Sequence, residues 1–259
     1  MAGPALWLDA HAYGVRILAG GREPWANPSE LGLFYRQLQD LLRPDILELP
    51  LAPAFILDLT EFASQADDVE MADAFDRTVA NGRVAALIDQ GLHAITGANP
   101  SLPLAVGLPG PAALLSLVSA GAIATAGKDA LDIAALALSD LIRALSSHKI
   151  TWLALHEQHS HALTYGQGIV NVTRHYGWHL ALMDKETPAD AASYTAYDLV
   201  FPPAGGVTEG KGGCAMLDIT VWQDSSEFMI PFTATWLRAE VLSTAQPETV
   251  LATLKRLRG

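Results

Sequence analysis

The sequence has a single cysteine, Cys214, among its 259 residues. A disulfide bond within the chain and a zinc site built from several cysteines are therefore both excluded. Charged residues are also scarce, at 17%, and acidic residues outnumber basic ones, so that the formal net charge is -12. Because such an acidic surface repels phosphate backbones, we expect no nucleic-acid partner.

Long uninterrupted apolar runs are absent, although 50% of the residues are hydrophobic. The most apolar stretch, residues 102–126, is interrupted by Pro103, Pro109, Gly110 and Pro111. A helix that spans a membrane needs about 20 mostly apolar residues in a row. The first residues also lack the basic start and apolar run of a signal peptide. We expect a cytoplasmic protein that makes no contact with a membrane.

Short β-type runs alternate with helical segments along the chain, which is typical of a parallel sheet wrapped by helices. The eight predicted strands are Ala5–Leu8, Asp45–Leu49, Leu104–Gly107, Ile150–Leu155, Trp178–Leu182, Asp198–Phe201, Ala215–Ile219 and Phe228–Ile230. Each is followed by a helix or by room for one. The pattern predicts a single (β/α)₈ barrel, a TIM barrel, over residues 1–259. A doubly wound open sheet and a division into two small domains are the alternatives.

In a barrel of this kind, the carboxyl ends of the strands converge on one mouth, where active sites form. Polar residues end or follow most of the predicted strands, and these are the candidates for an active site. They are Asp9, His11, Glu48, His156, Glu157, His179, Asp184, Asp218 and Thr233. The alternative is that they are polar only because strand ends border solvent.

The densest polar cluster, residues 156–161, contains three histidines and a glutamate at the end of the fourth predicted strand. His156 or Glu157 is the candidate general acid or base, but neighbours on a strand point to opposite faces, so only one can face inward. Asp9 and His11 alternate, so both are expected to face inward, with Asp9 orienting His11 as a second proton carrier. A polar cap over the mouth is the alternative for that pair.

Two arginines, Arg16 and Arg22, flank a glycine pair in the first predicted loop. Arginine grips carboxylates with two parallel hydrogen bonds, so these residues are candidate anchors for a substrate. Ordinary surface arginines are the alternative. Substrate contacts are also assigned to the polar residues at the other strand ends and to an aromatic pocket wall. These further candidates are Glu48, His179, Asp218, Thr233 and Trp222.

Three stretches of the chain, residues 102–115, 130–157 and 229–236, resemble the C-terminal barrel of cobalamin-independent methionine synthase. In the first, a strand turns through Gly110-Pro111 into a helix, as it does after the third strand of that family. In the second, a long helix leads to a strand that ends in His156-Glu157. The family shares a superfamily with uroporphyrinogen decarboxylase and corrinoid methyltransferases, so the resemblance implies methyl transfer, with a folate-like methyl donor as the cofactor.

The sequence departs from this family at the zinc site, which there uses His-x-Cys on strand five and a cysteine on strand eight. Here Ala181 follows His179 by two positions, and Thr233 stands about where the last cysteine would be. No metal ligand is therefore expected. The resemblance implies a methyltransferase-like enzyme that acts on a small organic molecule at the barrel mouth without the zinc–thiolate site.

Two other functions stay open. The first is a metal-independent decarboxylase or lyase that holds a carboxylated substrate with Arg16 or Arg22, similar to uroporphyrinogen decarboxylase. The second is a ligand-binding or partner subunit without catalysis, in which a second copy of the chain, or a corrinoid or folate partner protein, completes the site.

Overall fold

The structure of the chain is a computed structural model. It describes residues 3–58, 67–119, 121, 126–157, 159–184, 194–203, 213–223 and 234–258. The predicted eighth strand, residues 228–230, and Thr233 lie outside these ranges. Within them, no helix combines the length and the apolar character that crossing a membrane requires.

Eight parallel strands form one sheet. They are β1 (Ala5–Asp9), β2 (Ile46–Pro50), β3 (Leu104–Pro109), β4 (Trp152–Glu157), β5 (His179–Asp184), β6 (Leu199–Phe201), β7 (Cys214–Met216) and β8 (Trp236–Glu240). Their order is β6-β5-β4-β3-β2-β1-β8-β7, and β1 pairs with both β2 and β8. Pairing of the first strand with the last nearly closes the sheet, which confirms the predicted (β/α)₈ barrel and excludes the open sheet.

Helices follow the first four strands and the last one. They are α1 (His11–Leu18), α2 (Pro28–Leu42), α3 (Ala52–Asp58), α4 (Asp68–Ala80), α5 (Arg83–Ala98), α6 (Pro111–Val118), α7 (Lys128–Ala144), α8 (Gln167–His175) and α9 (Pro247–Arg258). Local sequence accounts for several starts. The Asn27 side chain accepts a hydrogen bond from the Ser29 N–H, and Pro28 holds the first position of α2. In the described part of the chain, no α-helix follows β5, β6 or β7.

Side chains alternate between two buried layers because neighbouring strand residues point to opposite faces. Outward leucines pack against the helices, while the inward residues fill the barrel. The ring centroids of Trp7 and Trp152, and of Trp152 and Trp236, are 5.7 Å apart in edge-to-face contact. Because Trp152 and Trp236 are the first residues of β4 and β8, these rings fill the amino-terminal end of the barrel interior. Open volume remains at the carboxyl end.

The strand that departs most from prediction is β8. It occupies Trp236–Glu240 instead of the apolar run at 228–230. The inward position Arg238 makes this strand look polar, so hydrophobic patterning favoured the more apolar segment before it. In addition, β4 extends to Glu157 and β5 begins only at His179. The shift of β8 brings Arg238 and Glu240 to the carboxyl end of the barrel.

Candidate active site

Two adjoining cavities open at the carboxyl end of the barrel, and they share Asp9 and His156. We call them together the mouth cavity. The first, of 450 Å³, lies over β2 and β3; the second, of 430 Å³, lies over β5, β7 and β8. The inward residues at the strand ends line them: Asp9, Glu48, Pro50, Gly107, Pro109, His156, Met183, Met216, Arg238 and Glu240.

Glu48 is the centre of the polar network at the floor of the mouth cavity, and it is completely buried. Its Oε2 accepts hydrogen bonds from Trp7 Nε1 at 2.8 Å and from Arg238 Nε and Nη2 at 3.1 and 3.0 Å. Its Oε1 lies 2.5 Å from His156 Nε2. Gly107 leaves room for this carboxylate, because a Cβ there would lie 2.7 Å from Oε1. The network therefore takes one residue from each of the five strands β1, β2, β3, β4 and β8.

The charge of Glu48 determines which nitrogen of His156 carries a proton. Burial alone would raise the pKa of Glu48, but Arg238 and then His156 outweigh it and lower this pKa to about 2. The carboxylate can only accept hydrogen bonds, so His156 Nε2 must donate. In the neutral imidazole, Nδ1 then carries the free lone pair, and it has no hydrogen-bond partner among the described residues. The His156 side chain is 30% exposed and lines the cavity, which is the arrangement of a general base.

Asp9 is the second titratable group of the mouth cavity, at the end of β1. Its side chain is 19% exposed, and its Oδ2 lies 3.6 Å from Arg238 Nη2. Burial, and next the negative charge of Glu48, raise the pKa of Asp9 from 3.8 to about 6, despite the opposing effect of Arg238. Two neighbouring carboxylates with pKa values shifted in opposite directions are typical of sites that divide acid and base roles.

The raised pKa of Asp9 predicts a particular dependence of stability on pH. Because the folded chain holds this proton more tightly than the unfolded chain, the contribution of Asp9 is favourable at low pH and is lost as the pH rises through about 6. Between about pH 4.5 and 6.5, we expect the free energy of unfolding of the wild type to fall relative to that of Asp9→Asn by about 2 kcal/mol.

Urea denaturation of both proteins at several pH values measures this difference. Taking the difference between them cancels the contributions of the other ionisable groups. A constant difference over this pH range would show that Asp9 titrates like an exposed carboxyl.

Glu157, the other candidate in the dense cluster, faces away from the cavity. It is 1% exposed, and its two carboxylate oxygens accept hydrogen bonds from the N–H groups of Ala112 and Ala113 at 3.3 and 3.2 Å. Gly110 makes room for it, because a Cβ there would overlap Oε2. Glu157 therefore caps the amino-terminal end of α6, where its negative charge interacts favourably with the positive end of the helix dipole. The expectation that only one of the adjacent pair faces inward is confirmed, and His156 is that residue.

We predict that Glu157→Ala lowers the free energy of unfolding by about 1–2 kcal/mol, because the first turn of α6 loses its acceptor and the helix dipole loses an anion. Binding in the mouth cavity should persist. Urea denaturation compares this variant with Glu248→Ala, which removes an exposed glutamate from the first turn of α9. Equal, small losses in both variants would contradict the capping role.

The prediction that Asp9 and His11 face the mouth together is wrong for His11. Helix α1 starts at His11, so the strand alternation ends before it. The ring is buried outside the cavity, with Nδ1 3.0 Å from the Tyr35 hydroxyl and Nε2 3.0 Å from Glu23 Oε1. Tyr35 in turn donates to the Glu48 carbonyl at 3.3 Å. His11 supports the strand that holds Glu48 and does not reach the cavity.

Neither predicted arginine anchor lines the mouth cavity. Arg16 lies in α1 rather than in a loop, because the helix begins immediately after β1. Its guanidinium donates to the Ala245 carbonyl and lies 5.7 Å from the centre of the Tyr13 ring. Arg22 is exposed beyond the two glycines. The placement of both arginines at the mouth is therefore wrong.

Three further predicted substrate contacts, His179, Asp218 and Trp222, do not line the cavity either. His179 begins β5 instead of ending it, so it lies at the opposite end of the barrel, where its ring is 4.8 Å from that of Trp152. Asp218 caps the short 3₁₀ helix Ile219–Trp222 through the Thr220 N–H at 2.8 Å, and this bond lowers its pKa. Trp222 is 1% exposed and donates to the Glu240 carbonyl at 2.7 Å, so it is core rather than pocket wall.

The structure adds site residues that pattern reasoning missed, above all Arg238 and Glu240 on β8. Their signal in the sequence is a strand in which Trp236, Arg238 and Glu240 alternate with the apolar Leu237 and Ala239. An arginine between apolar strand neighbours indicates a buried ion pair when an inward carboxylate stands on a nearby strand of the sheet.

In comparisons with known proteins, no family model and no curated protein sequence matches this chain.

Proposed function

We propose that this protein is an enzyme that moves protons on a small organic molecule bound in the mouth cavity. His156 acts as the general base through Nδ1, and Asp9 acts as the general acid. The observation that carries this proposal is the 2.5 Å contact between buried Glu48 and His156 Nε2, which leaves Nδ1 beside a cavity with no hydrogen-bond partner in the part of the chain that the structure describes. Lyase or isomerase chemistry needs these two roles, one to take a proton and one to return it.

The charges around the mouth cavity favour a neutral or cationic substrate. Arg238 is already paired with Glu48, and Asp9 lies beside it. Glu240 adds a further carboxylate at the exposed end of β8. Among the lining residues that the structure describes, a substrate rich in carboxylates would meet more negative than positive groups. With the arginine anchors placed elsewhere, a lyase or isomerase of an uncharged or amine-bearing molecule fits better than a decarboxylase that grips carboxylates.

Methyl transfer by a thiolate has less support from the lining residues that the structure describes. Cys214 is completely buried at the start of β7, at the end of the barrel opposite the mouth. A methyl acceptor in the mouth cavity would have to be a hydroxyl or amine group activated by His156. A folate-like donor and a partner protein stay predictions of the resemblance alone.

Deuterium exchange tests the proposed function directly. The purified protein is incubated in D₂O with pools of small hydroxy ketones, amino alcohols and amines, and in separate pools with carboxylic acids and with a folate plus thiols. NMR then follows deuterium incorporation, product formation and ligand binding. We expect exchange or product in a neutral or cationic pool, with loss in His156→Ala and retention in Asp218→Asn.

Two other results would contradict the proposal in different ways. Binding without exchange or product in every pool would indicate a ligand-binding subunit. Turnover confined to the folate and thiol pool would support methyl transfer instead.

A further inference from the structure

Far from the mouth, three potential metal ligands meet beside the amino-terminal end of the barrel. Asp89 and His93 are one helical turn apart on α5, so their side chains share one face of the helix. His148 lies in the connection between α7 and β4, which packs against that face. One ligand atom from each residue lies within 4.8 Å of the other two. Within the described residues, this is the one group of at least three such side chains that meets this distance.

The distances come close to those of a four-coordinate metal. His148 Nε2 is 2.8 Å from Asp89 Oδ1, and His93 Nδ1 is 3.5 Å from Asp89 Oδ2. The two imidazole rings are 4.6 Å apart between centroids and inclined at 73°. Because zinc–nitrogen bonds are about 2.0–2.1 Å, ligand atoms in a tetrahedral site lie roughly 3.3 Å apart. His93 Nδ1 also lies 3.0 Å from the Asp89 carbonyl oxygen, so metal binding requires this ring to exchange that hydrogen bond for the metal.

The burial of the three side chains differs in a way that suits a metal site. His148 is 7% exposed and is held by Asp89, while Asp89 is 41% and His93 68% exposed. If His148 served only to attach the α7–β4 connection to α5, its hydrogen bond to Asp89 would be sufficient. His93 adds a second imidazole beside that bond, on a chain of net charge -12 that attracts cations.

An open cavity adjoins the two histidines of the cluster and provides the second observation. It has a volume of 490 Å³, and its lining includes His93, His148, Thr96, Asn99 and Lys149. A metal held by the three side chains would keep its fourth position toward this space. Three protein ligands with one open position are typical of zinc sites that exchange a water or an external ligand.

We propose that Asp89, His93 and His148 bind one divalent transition-metal ion of the zinc class, with the fourth position open to this cavity. Two imidazoles and one carboxylate favour zinc or cobalt, whereas magnesium and calcium prefer sites made only of oxygen ligands. Lys149 in the cavity lining favours an anion as the fourth ligand. The site is independent of the acid–base chemistry at the mouth, because it joins α5 to the α7–β4 connection.

Metal titration of the untagged, chelator-treated full chain tests this site. We expect one Zn²⁺ per chain by calorimetry and, for Co²⁺, the intense visible absorption of four-coordinate cobalt. His93→Ala removes an exposed ligand with little risk to the fold. Changes in residues that only support a ligand already cost roughly 10–100-fold in metal affinity, so losing the ligand should raise the Kd for Zn²⁺ at least about 100-fold.

His175→Ala, which removes an exposed histidine at the end of α8, is the matched control and should leave the Kd unchanged. A protein that takes up no Zn²⁺ would overturn the proposal. So would Zn²⁺ binding that survives His93→Ala with the same Kd, or that is lost in His156→Ala at the mouth instead.

Discussion

Replacing Arg238 with leucine is expected to lower the free energy of unfolding by about 3–5 kcal/mol, the largest loss of stability that we predict for a single substitution. Arg238 donates two hydrogen bonds to Glu48, and the two side chains are 5% and 0% exposed. Without Arg238, the partners that the carboxylate keeps among the described residues are Trp7 and His156. An uncompensated charge in the barrel interior either destabilises the fold or takes up a proton.

This loss should also depend on pH in a direction that identifies its cause. In the wild type, Arg238 and His156 lower the pKa of Glu48 to about 2, so its contribution to stability is lost as the pH falls below about 4.5. In Arg238→Leu, burial dominates and raises the pKa of Glu48. The free energy of unfolding of the variant should therefore increase on acidification, and its difference from that of the wild type should become smaller.

Urea denaturation over a range of pH values measures both effects, and two further proteins serve as controls. The double variant Glu48→Leu with Arg238→Leu removes both charges and should recover much of the loss, because a buried ion pair can often be exchanged for apolar side chains. Arg143→Ala breaks a half-exposed pair with Asp140 on α7 and should cost less than about 1 kcal/mol. A similarly small cost for Arg238→Leu would show that Glu48 does not need its partner.

The barrel could be predicted because its outward residues follow simple periodic rules. Strands such as Leu104–Pro109 are bounded by turn residues, and helices such as α2 carry their start signal in Asn27-Pro28. The same rules fail for β8, whose inward Arg238 is stabilised by a carboxylate 190 positions away in sequence. No local pattern can show that pairing, because it exists only once β1, β2 and β8 lie side by side.

The candidate site was predictable where position along a strand decides it. Asp9 ends β1, while Glu48 and His156 lie on the inward face of β2 and β4, and all three line the mouth cavity. His179 shows the limit of this reasoning, because it was assigned to the mouth although it stands near the start of its predicted strand. In the structure it is the first residue of β5, at the amino-terminal end of the barrel. The prediction for His11 is wrong for a related reason. It extends the strand alternation of β1 to a residue at which helix α1 already begins.

The role of Glu157 could not be inferred from its neighbours in sequence, because its partners are the N–H groups that begin α6, more than forty residues earlier. The strand register is what brings them together. Pro109 of β3 pairs with His156 of β4, so the outward residue after His156 meets the turn at Gly110. Glu157 therefore caps a helix, and of the two neighbours His156 is the one that lines the cavity.

Once a substrate is known, His156→Ala and Asp9→Asn should each lower kcat by about 10²–10⁴-fold, with much smaller effects on binding. The two variants should differ in their pH profiles. If Asp9 donates a proton with a pKa of about 6, the rate of the wild type falls as the pH rises above that value. Asn at this position removes that descending limb, whereas Ala at position 156 leaves it in place at a lower rate.

Gly107→Ala provides a third test of the same geometry without changing a titratable group. The added Cβ would lie 2.7 Å from Glu48 Oε1, so the carboxylate has to move away from His156 Nε2. When the carboxylate is displaced, it no longer fixes the proton of His156 on Nε2. In some molecules the proton is then on Nδ1, and this nitrogen has no lone pair with which to act as a base. We expect kcat to fall, while the decrease in rate above about pH 6 that is assigned to Asp9 is retained. An unchanged kcat in a folded Gly107→Ala protein would show that Glu48 does not position the base, even where His156→Ala shows that His156 is that base.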